Sequence, residues 1–138
     1  MKIGLIDVDG HKDIFGHKFP NLALMKISAY HKSIGDSVEW YSGLDYYDIV
    51  YMSKVFTFTP DFLFPIAAMI VHKGGTGYNA ELKLSAEIDK MCPDYSLYPF
   101  NKYYDQNTAY GFITRGCIRK CPWCVVLSKR VKLQLIKT

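Results

Sequence analysis

Lys2-Ile3-Gly4-Leu5-Ile6-Asp7-Val8-Asp9 is a short apolar run that ends in acids. Such a run predicts a buried strand passing into a polar loop. Asn21 stands where a helix N-cap belongs, and Leu22 to about Ser33 follows it. Leu22, Met25 and Ala29, with Leu24, Ile27, Tyr30 and Ile34, give that helix a broad apolar face, and Gly35 suits its exit. Val38-Glu39-Trp40-Tyr41 then reads as a second strand. A strand, a helix and a strand in this order form a unit with parallel strands and a right-handed crossover. That unit decides for an α/β architecture.

Asp48 to Ser53 and Ala67 to His72 read as two further strands. Only Ser42 to Tyr47 separates the second strand from the third, too few residues for a helical crossover. Either a helix has been lost there or the two strands are not simple parallel neighbours. Lys54 to Pro65, with Pro60 and Pro65 among aromatics, reads as a loop. The fourth strand runs into Lys73-Gly74-Gly75-Thr76-Gly77, after which Asn79 is expected to cap a helix from Ala80 to about Met91, stopped by Pro93. The fold class expected is therefore α/β, a Rossmann-like or flavodoxin-like open, mostly parallel sheet with helices. Cys92 to Gln106 reads as a connecting segment and Tyr110 to Thr114 as a last strand. Val131, Leu133 and Leu135, alternating with Lys132 and Gln134, suggest a strand in the tail.

In open α/β sheets ligands sit beyond the C-terminal ends of the strands. Asp7 and Asp9, Ser53 and Lys54, Gly74 to Gly77, and Arg115 to Cys124 all follow expected strand ends. Gly74, Gly75 and Gly77 before a helix invite a phosphate-cradling, cofactor-binding reading. They fit neither G-x4-G-K-[ST] nor G-x-G-x2-G, and a tight strand-to-helix turn is the plainer role. A bend would bring Asp7 and Asp9 together around a cation; capping or bonding to backbone is the simpler use. His31, next to Lys32, is expected at the surface, and His11, His17 and His72 are scattered. Cys92, beside Pro93, is expected to be structural.

Three of the four cysteines, Cys117, Cys121 and Cys124, fall within eight residues, spaced C-x3-C-x2-C. Three thiolates on one tight loop can converge on one metal centre, and soft sulfur suits an iron–sulfur cluster, zinc or copper(I). Structural zinc and electron-transfer clusters usually take four protein ligands, so three leave a corner open for chemistry. A zinc site completed by His72 or another distant ligand is the competing reading. A disulfide lacks the secretory context that would favour it.

The loop and its lead-in, Tyr110-Gly111-Phe112-Ile113-Thr114-Arg115-Gly116-Cys117 onward to Cys121-Pro122-Trp123-Cys124, resemble the signature of the radical S-adenosylmethionine (SAM) enzymes. The resemblance implies a 4Fe–4S cluster on Cys117, Cys121 and Cys124, with SAM on the fourth iron. In that family SAM is cleaved reductively to a radical that abstracts hydrogen from a substrate. It also implies Trp123 near the cluster or the adenine, and Arg115, Arg119 or Lys120 offsetting negative charge. Basic neighbours of this kind also lower thiol pKa.

Residues 1–92 resemble a shortened cobalamin-binding-like domain, 93–109 a connecting segment, and 110–138 the first strand, cluster loop and short basic tail that begin a radical SAM barrel. Cobalamin itself is not expected. Asp9-Gly10-His11 begins D-x-H-x-x-G, but Ile14 stands where the glycine belongs, and the crossover between the second and third strands lacks its helix. A barrel needs several more βα units, so the expectation is the N-terminal part of such an enzyme, catalytically incomplete by itself. The alternative is a non-catalytic α/β small-ligand or partner-binding module whose cysteine loop carries zinc or nothing. Apolar surface left by an absent barrel would favour self-association.

Composition sets the outer bounds. A chain of 138 residues suffices for one ordinary domain, and no run approaches the ~18 apolar residues that span a bilayer. The start meets acids too soon for a signal peptide, so a reducing cytoplasm is the expected setting and no membrane partner is expected. After Asp105 there are seven basic residues and no acidic one, leaving ten basic and thirteen acidic residues before it. The basic end suits an anionic cluster and a carboxylate-bearing cosubstrate. Without interleaved aromatics, nucleic acid is not the expected partner.

Overall fold

The computed structural model describes residues 1–10, 20–98, 109–111, 114–115 and 134–135 of the chain. The chain divides into two compact units, Met1–Thr108 and Ala109–Thr138. In the first, the strands are β1 (Lys2–Asp7), β2 (Ser37–Trp40), β3 (Tyr47–Ser53) and β4 (Ala68–Gly74), and the helices are α1 (Leu22–Ser33) and α2 (Ala86–Asp89). The sheet runs β2-β1-β3-β4 with every pairing parallel. β2 and β3 therefore flank β1 on opposite edges. The short link of residues 41–46 therefore crosses β1 without a helix.

Alternation along β1 sends its side chains to two faces. Ile3 and Leu5 pack with Leu24, Met25 and Ile27 of α1, joined by Val38, Trp40, Ile49 and Tyr51. On the opposite face Ile6 and Val8 pack with Val50, Met52 and Tyr47. There Tyr41, Phe62 and Ile66 take the place of a covering helix. Gly4 lets the Tyr47 ring pack close over the centre, since a Cβ there would lie 3.0 Å from that ring, tighter than an ordinary contact.

α1 has the expected bounds because its end signals are local. The Asn21 side chain accepts from the N–H groups of Ala23 (3.1 Å) and Leu24 (3.3 Å), and Gly35 leaves the helix at φ +86°. Three expectations are corrected. The helix expected from Ala80 to Met91 is only the turn Ala86–Asp89, capped by Ser85. Asn79 instead accepts the Glu81 N–H (2.9 Å), a local turn that competes with helix propagation. His31 is buried, its Nδ1 2.7 Å from Asp36 and its Nε2 3.1 Å from the Tyr51 hydroxyl. Burial follows because the last turn of α1 lies over the tyrosine-bearing face of β3. Cys92 is exposed and packs in no core.

The segment after Pro93 is tied to α1 through Asp94. Its carboxylate accepts from Ser28 Oγ (2.7 Å) and Lys32 Nζ (2.6 Å), and its N–H donates to the Met25 carbonyl (3.1 Å). A single 3₁₀ turn, Tyr95–Leu97, then presents the Leu97 carbonyl to the Trp40 indole N–H (3.0 Å) and Leu97 itself to the core.

In the second unit, β5 (Thr114–Arg115) pairs antiparallel with β6 (Gln134–Leu135). Tyr110 and Gly111 precede the strand rather than belonging to it. A strand in the tail is present at Leu135 as the alternation suggested. The first strand of a barrel would have parallel neighbours. The cysteine loop itself lies outside the described residues.

Two stability measurements follow. Leu24→Ala removes a fully buried side chain between α1 and β1 and lowers unfolding free energy by about 2–5 kcal/mol, read from the urea midpoint. Burial pushes the Asp94 carboxyl up, but Lys32, Ser28 and Ser96 outweigh it and hold it down to about 2. Its folded pKa is thus below the ordinary 3.8, so its contribution is present above 3.8 and lost as pH falls toward about 2. Acid titration of stability in Asp94→Asn will be flatter over that window than in the parent chain.

Candidate functional site

Register brings three of the expected strand ends into line. Asp7 lies beside Ser53, and Ser53 beside Gly74, so the C-terminal edges of β1, β3 and β4 share one rim. The backbone continues the alignment past the strands: Val8 N–H donates to Ser53 O, and Lys54 N–H to Gly74 O, each 3.0 Å.

Asn21 anchors one half of this rim. While its carbonyl oxygen caps α1, its amide nitrogen donates to Ser53 Oγ at 2.8 Å and its backbone N–H to the Tyr98 hydroxyl at 3.1 Å. That hydroxyl in turn donates to Asp7 Oδ2 at 2.6 Å, and Asp7 Oδ1 accepts the Gly10 N–H. The buried Asp9 carboxylate secures the loop after β3, accepting from Val55 N–H and from Thr59 Oγ1 (2.6 Å). The two aspartates therefore serve separate networks, each built on protein donors. Among the described residues, no group of three or more His, Cys, Asp or Glu side chains is placed to hold a metal ion.

The other half is the glycine turn. Gly75 has φ +96°, and a Cβ there would fall 2.3 Å from the Lys54 carbonyl oxygen. At Gly77 a Cβ would come within 2.9 Å of both the Lys54 and Phe56 carbonyl oxygens. Gly77 N–H donates to Lys54 O (2.8 Å), while Gly75 O accepts from Tyr78 and Asn79. These glycines thus let the turn lie directly against the β3 exit, and the N–H groups at 77–79 are engaged within the protein. Gly74 has open space around its Cβ position.

A small charged cluster closes this side. Lys54 Nζ, on a largely buried side chain, pairs with Asp61 at 2.8 Å. It lies 5.3 Å from the Tyr78 ring centroid, and Lys73 Nζ lies 5.4 Å from the same ring. The hydrogen bond from Lys54 holds the Asp61 carboxyl below the usual range. Burial, reinforced by the Asp61 charge, pushes the Tyr78 phenol up to about 12. Tyr78 is thus neutral at ordinary pH, and two ammonium groups can share its ring.

Of the residues expected at a site, Asp7, Asp9, Ser53, Lys54, Gly74, Gly75 and Gly77 come to the rim of the first unit. Arg115 is in β5 of the second unit, and Cys117, Cys121, Trp123 and Cys124 lie outside the described residues. Tyr98, Thr59, Asp61 and Tyr78 were not expected at the rim. Tyr98 reaches Asp7 across 91 positions, a separation that no local pattern reports. No helix among the described residues is long and apolar enough to cross a membrane. No protein-family model, curated protein or solved structure matches the chain.

The turn geometry sets a test. Gly75→Ala will lower stability by at least about 1–3 kcal/mol, because it meets both a positive φ and the Lys54 carbonyl. Gly74→Ala will stay within about 0.5 kcal/mol. Thermal or urea unfolding of the two variants checks the contrast.

Proposed function

We propose that the chain is the 4Fe–4S- and SAM-binding part of a radical SAM enzyme. The observation that carries the reading is the C-x3-C-x2-C spacing of Cys117, Cys121 and Cys124, with Trp123 before the last cysteine and Tyr110–Gly116 leading in. The donor set fits the group: three soft thiolates leave one iron of a cluster without a protein ligand. β5 and β6 pair Arg115 with Gln134, so the two ends of the cysteine-bearing segment are held together at its base.

When bound, the cluster would supply a reducing electron and an open iron corner for the amino and carboxylate groups of SAM. The chain's own contribution is binding and electrostatics. Cys117, Cys121 and Cys124 would bind as thiolates, a state favoured by the positive charges of Arg115, Arg119 and Lys120. Trp123 would give the cosubstrate a flat apolar neighbour that excludes water. The parallel sheet of residues 2–74 would act as a rigid scaffold of the cobalamin-binding-like kind, with its rim committed to internal bonds and cobalamin not required. A reducing, cytoplasmic compartment suits thiolates kept for metal.

Anaerobic reconstitution with iron and sulfide, followed by EPR of the reduced protein with and without SAM, tests the reading. The expected result is about four irons per chain and a signal that changes when SAM is added. Single Cys117→Ala, Cys121→Ala and Cys124→Ala variants will each lose most of that iron, whereas Cys92→Ala, altering an exposed residue of the first unit, will keep it. Stoichiometric zinc with no cluster would overturn the proposal and favour a non-catalytic binding module.

A further inference from the structure

β4 is an edge strand with β3 on one side and, among the described residues, no strand on the other. Edge strands of soluble proteins are commonly blunted by proline, by a bulge or by charge. β4 has none of these along its middle. Ala68-Met69-Ile70-Val71-His72-Lys73-Gly74 contains no proline, keeps register with β3 from Tyr47↔Ala68 to Ser53↔Gly74, and carries its one lysine next to its end. Its apolar side chains are exposed on both faces: Met69 at 66%, Ile70 at 43% and Val71 at 38%.

The phase of the ladder says which backbone groups look outward. Tyr47 N–H bonds to Ala67 O at 3.0 Å, and Ile49 registers with Ile70. In a parallel ladder that phase turns Met69 and Val71 toward β3 and leaves the N–H and C=O of Ile70 and His72 on the open edge. What fits such an edge is another extended strand.

We propose that the occupant is β4 of a second copy, paired antiparallel about a two-fold axis through Val71. This register is self-complementary. Ile70 of each copy faces His72 of the other as a hydrogen-bonded pair, and the two Val71 residues meet as a close, non-hydrogen-bonded pair. The only lysine of the strand then opposes Met69 rather than itself. Met69 lies beside Asp48, between the Tyr47↔Ala68 and Ile49↔Ile70 partners, so each Lys73 ammonium approaches an opposite charge on the other copy's sheet. Slipping the axis to Lys73 would set like charges face to face, which is unfavourable. The result is one continuous sheet of two four-stranded halves, with the exposed β4 edges covered by each other.

The test uses the full chain under reducing conditions. Sedimentation equilibrium gives the association state, and hydrogen exchange reads the amides of Ile70 and His72. The expected result is a dimer in which both amides become protected as concentration rises. Val71→Lys, which puts two ammonium groups opposite each other while leaving the backbone intact, will weaken the dimer at least about tenfold, roughly 1.4 kcal/mol. The same variant will return the two amides to fast exchange. Ile34→Lys, at a 55% exposed position after α1, will leave both readouts unchanged.

Three results would each overturn the proposal. One is a monomer at all concentrations with fast exchange at both amides. Another is a dimer indifferent to Val71→Lys. The third is protection of Ile70 and His72 in a monomer, which would mean that a segment of the same chain covers the edge.

Discussion

The first unit depends on satisfying β1 on both edges and both faces at once. A strand with Ile3, Leu5 and Ile6 fully buried has no water to bond its backbone, so it needs a ladder on either side. β2 provides one and β3 the other. Once β1 is central, the short link between β2 and β3 must pass across it rather than join adjacent strands. No crossover helix fits that link, so α1 covers one face and a proline- and aromatic-rich loop covers the other. The loop does so through Phe62 and Ile66, and Asp9 holds its start. An aspartate just beyond β1 thus compensates for a helix the topology leaves out.

The same constraint explains why the rim is so heavily bonded. Strand ends in open sheets have free backbone groups and converging side chains, which is why ligands often bind there. Here Asn21 uses its side chain for both the α1 cap and Ser53, Tyr98 connects Asn21 to Asp7, and the glycine turn lies on the Lys54 backbone. Each of these contacts fixes the rim, and each uses donors that a phosphate would otherwise need. A Gly-Gly-Thr-Gly turn after a strand is thus not by itself evidence of an anion site. What matters is where its N–H groups point, and at 77–79 they point into the protein.

Local signals carried much of this architecture. The bounds of α1 were readable because Asn21 and Gly35 act on the residues next to them, and the four strands because β-rich apolar runs end in turns. Competing local caps and long-range partners hid the rest. Apolar spacing from Ala80 to Met91 looked helical, yet Asn79 closes a turn and Ser85 starts a new, much shorter helix. His31 looked like a surface residue on a polar stretch, but its ring is claimed by Asp36 and Tyr51. Asp94 looked like part of a linker, although it joins that segment to α1 through Ser28 and Lys32. In each case the deciding partner is either a capping residue at a competing position or a side chain far away in sequence, and neither leaves a period in the chain.

Structure and proposed chemistry therefore fall in different parts of the chain. In the sheet unit Asp7, Asp9, Gly75 and Gly77 are engaged in holding the rim, and Cys92, its cysteine, is exposed. The soft donors that suit a redox metal are concentrated after Arg115, where the acidic residues have also ended. Basic residues close in sequence to three cysteines favour their thiolates, and a metal centre on three thiolates is anionic, so the charge asymmetry and the cysteine spacing both suit thiolate ligation. Zinc on three thiolates would carry a similar negative charge, so what separates the two metals is the three-ligand spacing rather than the positive charge. On the proposed reading, the acidic first unit supplies rigidity and the basic segment supplies the electrostatic environment. The antiparallel pairing of Thr114–Arg115 with Gln134–Leu135 gives that segment a closed base of its own.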